Sequence, residues 1–143
     1  MERLILFCLI CVLFISCDDQ TQTDCSCTTV DRGVDIILKD VEGNFLINQQ
    51  VFNHLQILYL NDESVVLGET PIYIDEFGIK AVRIFLNNDS SEEYPITYVR
   101  WNESDTDTIK AKFTKNKQVI ERYWINEVEV TELDEFGFYT LLK

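Results

Sequence analysis

Residues 109–126 read IKAKFTKNKQVIERYWIN, and the fold is decided there. Ile109, Ala111 and Phe113 alternate with Lys110, Lys112 and Thr114, the period of two of a strand with one face buried. Lys115-Asn116-Lys117 interrupts the pattern as a hairpin turn. Beyond it, Gln118–Asn126 alternates again. Val119, Glu121, Tyr123 and Ile125 share one face, and Ile120, Arg122 and Trp124 share the other. The stretch predicts an amphipathic β-hairpin.

Working outward, the same period recurs in short runs. Toward the N-terminus lie Val34–Asp40, His54–Leu60, Val65–Leu67, Ile72–Ile74, Ile79–Leu86 and Tyr94–Trp101. Toward the C-terminus, Val128 and Val130 alternate with Glu127 and Glu129, and Phe136–Leu142 supplies a last strand. Between these runs stand turn signals such as Glu42-Gly43-Asn44, Asn61-Asp62-Glu63-Ser64 and the polar loop Asn87–Glu93. Pro71 and Pro95 suit strand starts or edges. No segment carries an i, i+3, i+4, i+7 stripe long enough for a helix. About eight short strands with turns every 8–12 residues predict an all-β fold, a single antiparallel sandwich. No internal repeat is visible, and no Cys…Trp…Cys core of an antibody-type domain is present.

Composition narrows function by exclusion. The 143 residues hold 46% hydrophobic and 12% aromatic residues, too many for a disordered chain. Twelve Lys+Arg against 25 Asp+Glu give a net charge of −13, which argues against a nucleic-acid partner because phosphate binding needs a basic face. One histidine, His54, leaves little room for Ser-His-Asp, Cys-His or multi-His zinc chemistry. Its predicted place is the start of a strand.

The N-terminus carries an address. Leu4 to Ile15 is an uninterrupted apolar run of 12 residues behind Arg3, short of the ~20 residues a membrane-spanning helix needs. It ends on Leu13-Phe14-Ile15-Ser16-Cys17, followed by Asp18-Asp19. This resembles the lipobox of bacterial lipoproteins, which implies cleavage before Cys17 and a diacylglycerol and N-acyl lipid on it. An ordinary secretory signal or an uncleaved anchor are the alternatives, but neither accounts for a run that stops on a cysteine. Asp18 and Asp19 look like the acidic export signal of Bacteroidota lipoproteins. The expected division is therefore a signal peptide at 1–16, a lipidated flexible tether at 17–31 and a β-sandwich at 32–143. Cys25 and Cys27 fall in the tether, where two sulfurs alone make an incomplete metal site.

Cys17-Asp18-Asp19, the strand end Asp40-Val41-Glu42-Gly43-Asn44 and Asp105-Thr106-Asp107-Thr108 entering a strand together resemble small Bacteroidota lipoproteins. Those are similar to transthyretin-like or immunoglobulin-like β-sandwiches. The resemblance implies a shape and a place, the outer membrane by lipid anchor on its surface or periplasmic face, and no catalytic residue.

Site candidates are few. Tyr98 and Trp101 fall on opposite faces of their strand, as do Tyr123 and Trp124, so one of each pair is exposed for stacking on a sugar or a partner unless a second layer covers it. In the loop Asn102–Asp107, Asp105 and Asp107 place carboxylates at alternating positions, a weak candidate for calcium that lacks the glycine and closing glutamate of an EF-hand. Otherwise no metal or cofactor is expected. Lys110, Lys112, Lys115, Lys117 and Arg122 crowd one hairpin, and Glu127–Glu135 carries only acids. Cross-strand ion pairing is one reading, and contact with anionic lipid the other. The expected function is a non-enzymatic binding or envelope-assembly module, with a glycan or an envelope protein as partner. A surface glycan-binding lipoprotein is the alternative, and a small hydrolase the third.

Overall fold

A computed structural model describes residues 31–76, 78–116 and 119–143. The expectations placed on residues 1–30, including Cys17, Asp18, Asp19, Cys25 and Cys27, lie outside the described residues, as do Phe77, Lys117 and Gln118. Asp31, the last residue of the expected tether, already bridges to Val119.

The strands are β1 (Gly33–Lys39), β2 (Gln56–Asn61), β3 (Ser64–Leu67), β4 (Ile72–Glu76), β5 (Ile79–Phe85), β6 (Ile96–Arg100), β7 (Thr106–Phe113), β8 (Ile120–Ile125), β9 (Val128–Glu129) and β10 (Tyr139–Leu142). They form an all-β sandwich of two sheets, ordered β10-β1-β5-β4 and β3-β2-β6-β7-β8-β9. Among the described residues ten strands replace the eight expected, because short runs such as Val128–Glu129 pair in their own right.

Alternation explains the core. Val34, Ile36 and Leu38 of β1 and Val82 and Ile84 of β5 meet Ile57, Val99, Ile109, Ala111, Phe113 and Ile125 from the facing sheet, all buried in one cluster. Inward positions come every second residue, as a two-layer fold requires. On the outer face, like-positioned residues pair across strands. Asp35 lies opposite Arg83 and accepts a two-pronged hydrogen bond of 2.8 and 2.6 Å from it.

Four expectations need correction. The sandwich is not wholly antiparallel, since β10 runs parallel to β1, with Ile36 opposite Tyr139 and Lys39 opposite Leu142. Strand β1 sets out from the near end of the sandwich, where the chain arrives at Asp31. Because β9 returns toward that end, the crossover 130–138 has to launch β10 in the direction of β1. Ile120 packs against the core although Tyr123 and Ile125 also do, because a bulge sets Ile120 opposite Phe113 but Arg122 opposite Lys112. A six-residue helix, α1 (Gln49–His54), forms although no helical stripe is visible there, and His54 ends that helix instead of starting a strand. The Asn48 side chain accepts from the Val51 amide at 3.0 Å, which caps the helix, and Phe52 packs on Tyr73. Among the described residues no helix is long and apolar enough to cross a membrane.

Two turns share one device. Asp40 accepts from the Glu42 and Asn44 amides and Asp134 from the Phe136 and Phe138 amides, with Gly43 at φ 89° and Gly137 at φ 85°. At the near end, Asn87 ties the layers together. Its amide reaches Thr97 Oγ1 at 2.8 Å, and its side chain donates to the Leu60 carbonyl at 2.9 Å.

Candidate functional site

At the far end, away from Asp31, α1 and the segment around Leu46 cover the mouth between the sheets and leave a cavity of about 360 Å³. Leu38, Leu46, Val51 and Trp101 give it apolar walls. Gln50, His54, Asn102, Asp105 and Lys143 supply polar groups. Its size and mixed lining fall within the range of small-molecule pockets.

Strand β6 delivers Trp101. Thr97 and Val99 point inward, so the next position of that face, just past the strand, is buried, and Trp101 is only 3% exposed. The loop that follows closes through the Trp101 amide, which donates to the Asp105 carbonyl at 2.9 Å. Asp107 sits on the inward face of β7. One of its oxygens accepts from Trp101 Nε1 at 2.5 Å and the other from Asn126 Nδ2 at 2.7 Å. Lys143 Nζ completes the group, donating to Asp105 at 2.6 Å and Asp107 at 2.9 Å.

Electrostatics follow from these partners. Burial pushes the Asp107 carboxyl up, but hydrogen bonds from Asn126, Lys143 and Trp101 outweigh it and hold the group below its ordinary value of 3.8. Burial pushes the Lys143 ammonium down, and Asp105 and Asp107 more than offset it, raising it above 10.5. Asp105 and Asp107 therefore do converge, as their spacing predicts, but on an ammonium. Among the described residues no group of three or more His, Cys, Asp or Glu could hold a metal ion.

The four aromatic candidates separate into three places. Trp101 belongs to the core and offers no exposed stacking face. Tyr98 lies half-buried on the outer face of the six-stranded sheet, opposite Leu58 and Thr108. Trp124 shares that face, with its ring 5.8 Å from Tyr94 and the Arg122 guanidinium 5.7 Å from its centroid. Tyr123 points the other way, packs against the core and lines a cleft of about 400 Å³ with Arg83, Val130 and Phe136. Burial, with smaller contributions from Tyr139 and Asp35, pushes its phenol up to about 12.

Three of the five crowded bases of the hairpin are in ion pairs, Lys110 with Glu127, Lys112 with Glu121 and Arg122 with Glu129, and Lys117 lies outside the described residues. Sequence reasoning missed two participants. Lys143 carries a signal in hindsight, since Tyr139 and Leu141 face inward and the next such position is 143. Tyr94 likewise shares the face of Ile96 and Tyr98, two and four residues on. No protein family, curated protein or solved structure was found to match the chain.

Proposed function

We propose that the protein is a lipoprotein of the cell envelope, anchored in the outer membrane through Cys17, and that its sandwich is a non-enzymatic module that binds a small ligand at the far-end cavity. One observation carries this reading: the chain joins the fold at one end and the cavity opens at the other. Asp31 bridges Val119 at the start of β1, whereas Lys143 follows Leu142, the partner of Lys39 at its finish. Seven residues of β1 span about 20 Å. Residues 18–30 add a tether of at most roughly 45 Å when extended. An anchor at Cys17 thus attaches at the end of the sandwich opposite the cavity, and the tether is long enough to leave the cavity clear of the lipid. A diacylated and N-acylated cysteine holds far more firmly than one chain, since each buried CH₂ contributes about 0.8 kcal/mol.

The test is Cys17→Ala in cells, read by membrane fractionation and by protease treatment of intact cells. The parent chain partitions with membranes and the variant leaves them. Retention of the variant in the membrane would refute the anchor. Digestion of the parent on intact cells places the cavity outside, and protection until lysis places it in the periplasm, with an envelope protein or a periplasmic molecule as its partner.

A further inference from the structure

On the outer face of the six-stranded sheet, Tyr94, Lys110, Trp124 and Glu127 line a shallow cleft of about 280 Å³ that shares no residue with the far-end cavity. The Tyr94 and Trp124 rings meet at 74° with centroids 5.8 Å apart, two sides of an aromatic corner. Beside it, Lys110 Nζ donates to both carboxylate oxygens of Glu127, at 3.1 and 3.0 Å.

The backbone beneath Glu127 is the second observation. Ile125 pairs with Val128, so Asn126 and Glu127 form a two-residue turn with φ of 49° and 68°. Turns with both central residues left-handed take Asn first and Gly second, because a Cβ is disfavoured there. Glu127 occupies the glycine position. Its ion pair does not repay this, since the Glu127 side chain is 76% exposed and such pairs contribute little. Backbone strain of this kind gathers where a side chain is kept for use and not for folding.

The geometry points to a carbohydrate subsite, in which a pyranose lays its C–H face in the Tyr94–Trp124 corner and two neighbouring hydroxyls engage Lys110 and Glu127. The paired charges select no charged ligand, because they already neutralise each other. They present one donor and one acceptor side by side, which a vicinal diol satisfies by giving and taking one hydrogen bond each. A peptide strand is poorly served here, because beside the cleft Lys110 of β7 and Trp124 of β8 are paired on both sides and offer no free edge. The inference stands apart from the anchor and the far-end cavity, so the fate of Cys17→Ala does not bear on it.

The experiment is saturation-transfer NMR on the full chain, with methyl glycosides of glucose, galactose, mannose and N-acetylglucosamine and their trisaccharides at millimolar concentration. Transfer to ring C–H protons of at least one sugar is expected, and Trp124→Ala abolishes it. Glu127→Gly weakens it at least tenfold while melting at the same temperature as the parent or higher, which separates lost binding from lost folding. No transfer to any sugar, or transfer that survives both substitutions, overturns the proposal.

Discussion

Trp101, Asp107 and Lys143 at the far end and Trp124, Glu127 and Lys110 on the outer face each gather an indole, a carboxylate and an ammonium. In the first group the indole donates to the carboxylate, the carboxylate accepts from the ammonium, and Trp101 and Asp107 are each 3% exposed. In the second the ammonium and carboxylate pair in the open, and the indole meets a second ring and a guanidinium instead. Enclosure makes the first group part of the folding free energy, since each polar atom would be costly unpaired. Partial exposure leaves the second a smaller contributor to folding and available for contact. Residue type does not assign the role; the layer covering it does.

The largest effect that would sharpen this contrast is on the tryptophans. Trp101→Ala is expected to cost about 3–5 kcal/mol, the range for emptying a large aromatic site in a core. Trp124→Ala, at a half-buried ring that also packs on Tyr94, is expected to cost about 1–2 kcal/mol. Urea unfolding midpoints at constant slope measure both. Equal losses would break the comparison, because the outer face would then hold the fold as firmly as the core.

The carboxylates come next. Asp107→Ala leaves the Trp101 N–H, the Asn126 amide and the Lys143 ammonium short of an acceptor, and about 2–3 kcal/mol is expected. For Asp107 the contrast also has a pH signature. Its folded value lies below the ordinary 3.8, so its contribution is complete above that value and is lost as pH falls through the lower, folded one. Acid unfolding below about pH 3.8 should therefore be steeper in the parent than in Asp107→Asn. Superimposable acid limbs would show that the Asp107 cluster does not hold the far end.

The smallest effect has the opposite sign. Glu127→Gly relieves a left-handed residue and gives up one exposed ion pair, for a net gain of about 0.5–1 kcal/mol. Thermal melts check it. A loss instead of a gain would mean that Glu127 serves the fold, as Asp107 does.

Much of this architecture was legible along the chain. Ile109, Ala111 and Phe113 proved buried, with Lys110 and Lys112 on the other face, because a strand sorts its own side chains without help from partners. Tyr98 and Trp101 proved to lie on opposite faces for the same reason. Helix α1 was not legible, since six residues are too few to show a stripe and its cap at Asn48 resembles a turn signal. Nor was the flip of Ile120, which comes from one unpaired residue in β8. The site was less legible still. Asp105 and Asp107 read as metal ligands because the ammonium that joins them lies 36 residues beyond Asp107.

By itself the sequence determined an all-β sandwich, the turn after Asp40, and which side chains share a face, because alternation and turn chemistry act between neighbours; the turn at Asp134 instead shortens the expected strand Phe136–Leu142 to Tyr139–Leu142. Tertiary structure alone decided that β10 joins β1 in parallel, that Lys143 closes the far end, and that Trp101 is sealed while Trp124 stays half-exposed on the outer face. Those outcomes depend on which face a second layer covers and where a crossover lands. The free energy of burying a group is set by all the atoms around it, not by its place in the chain.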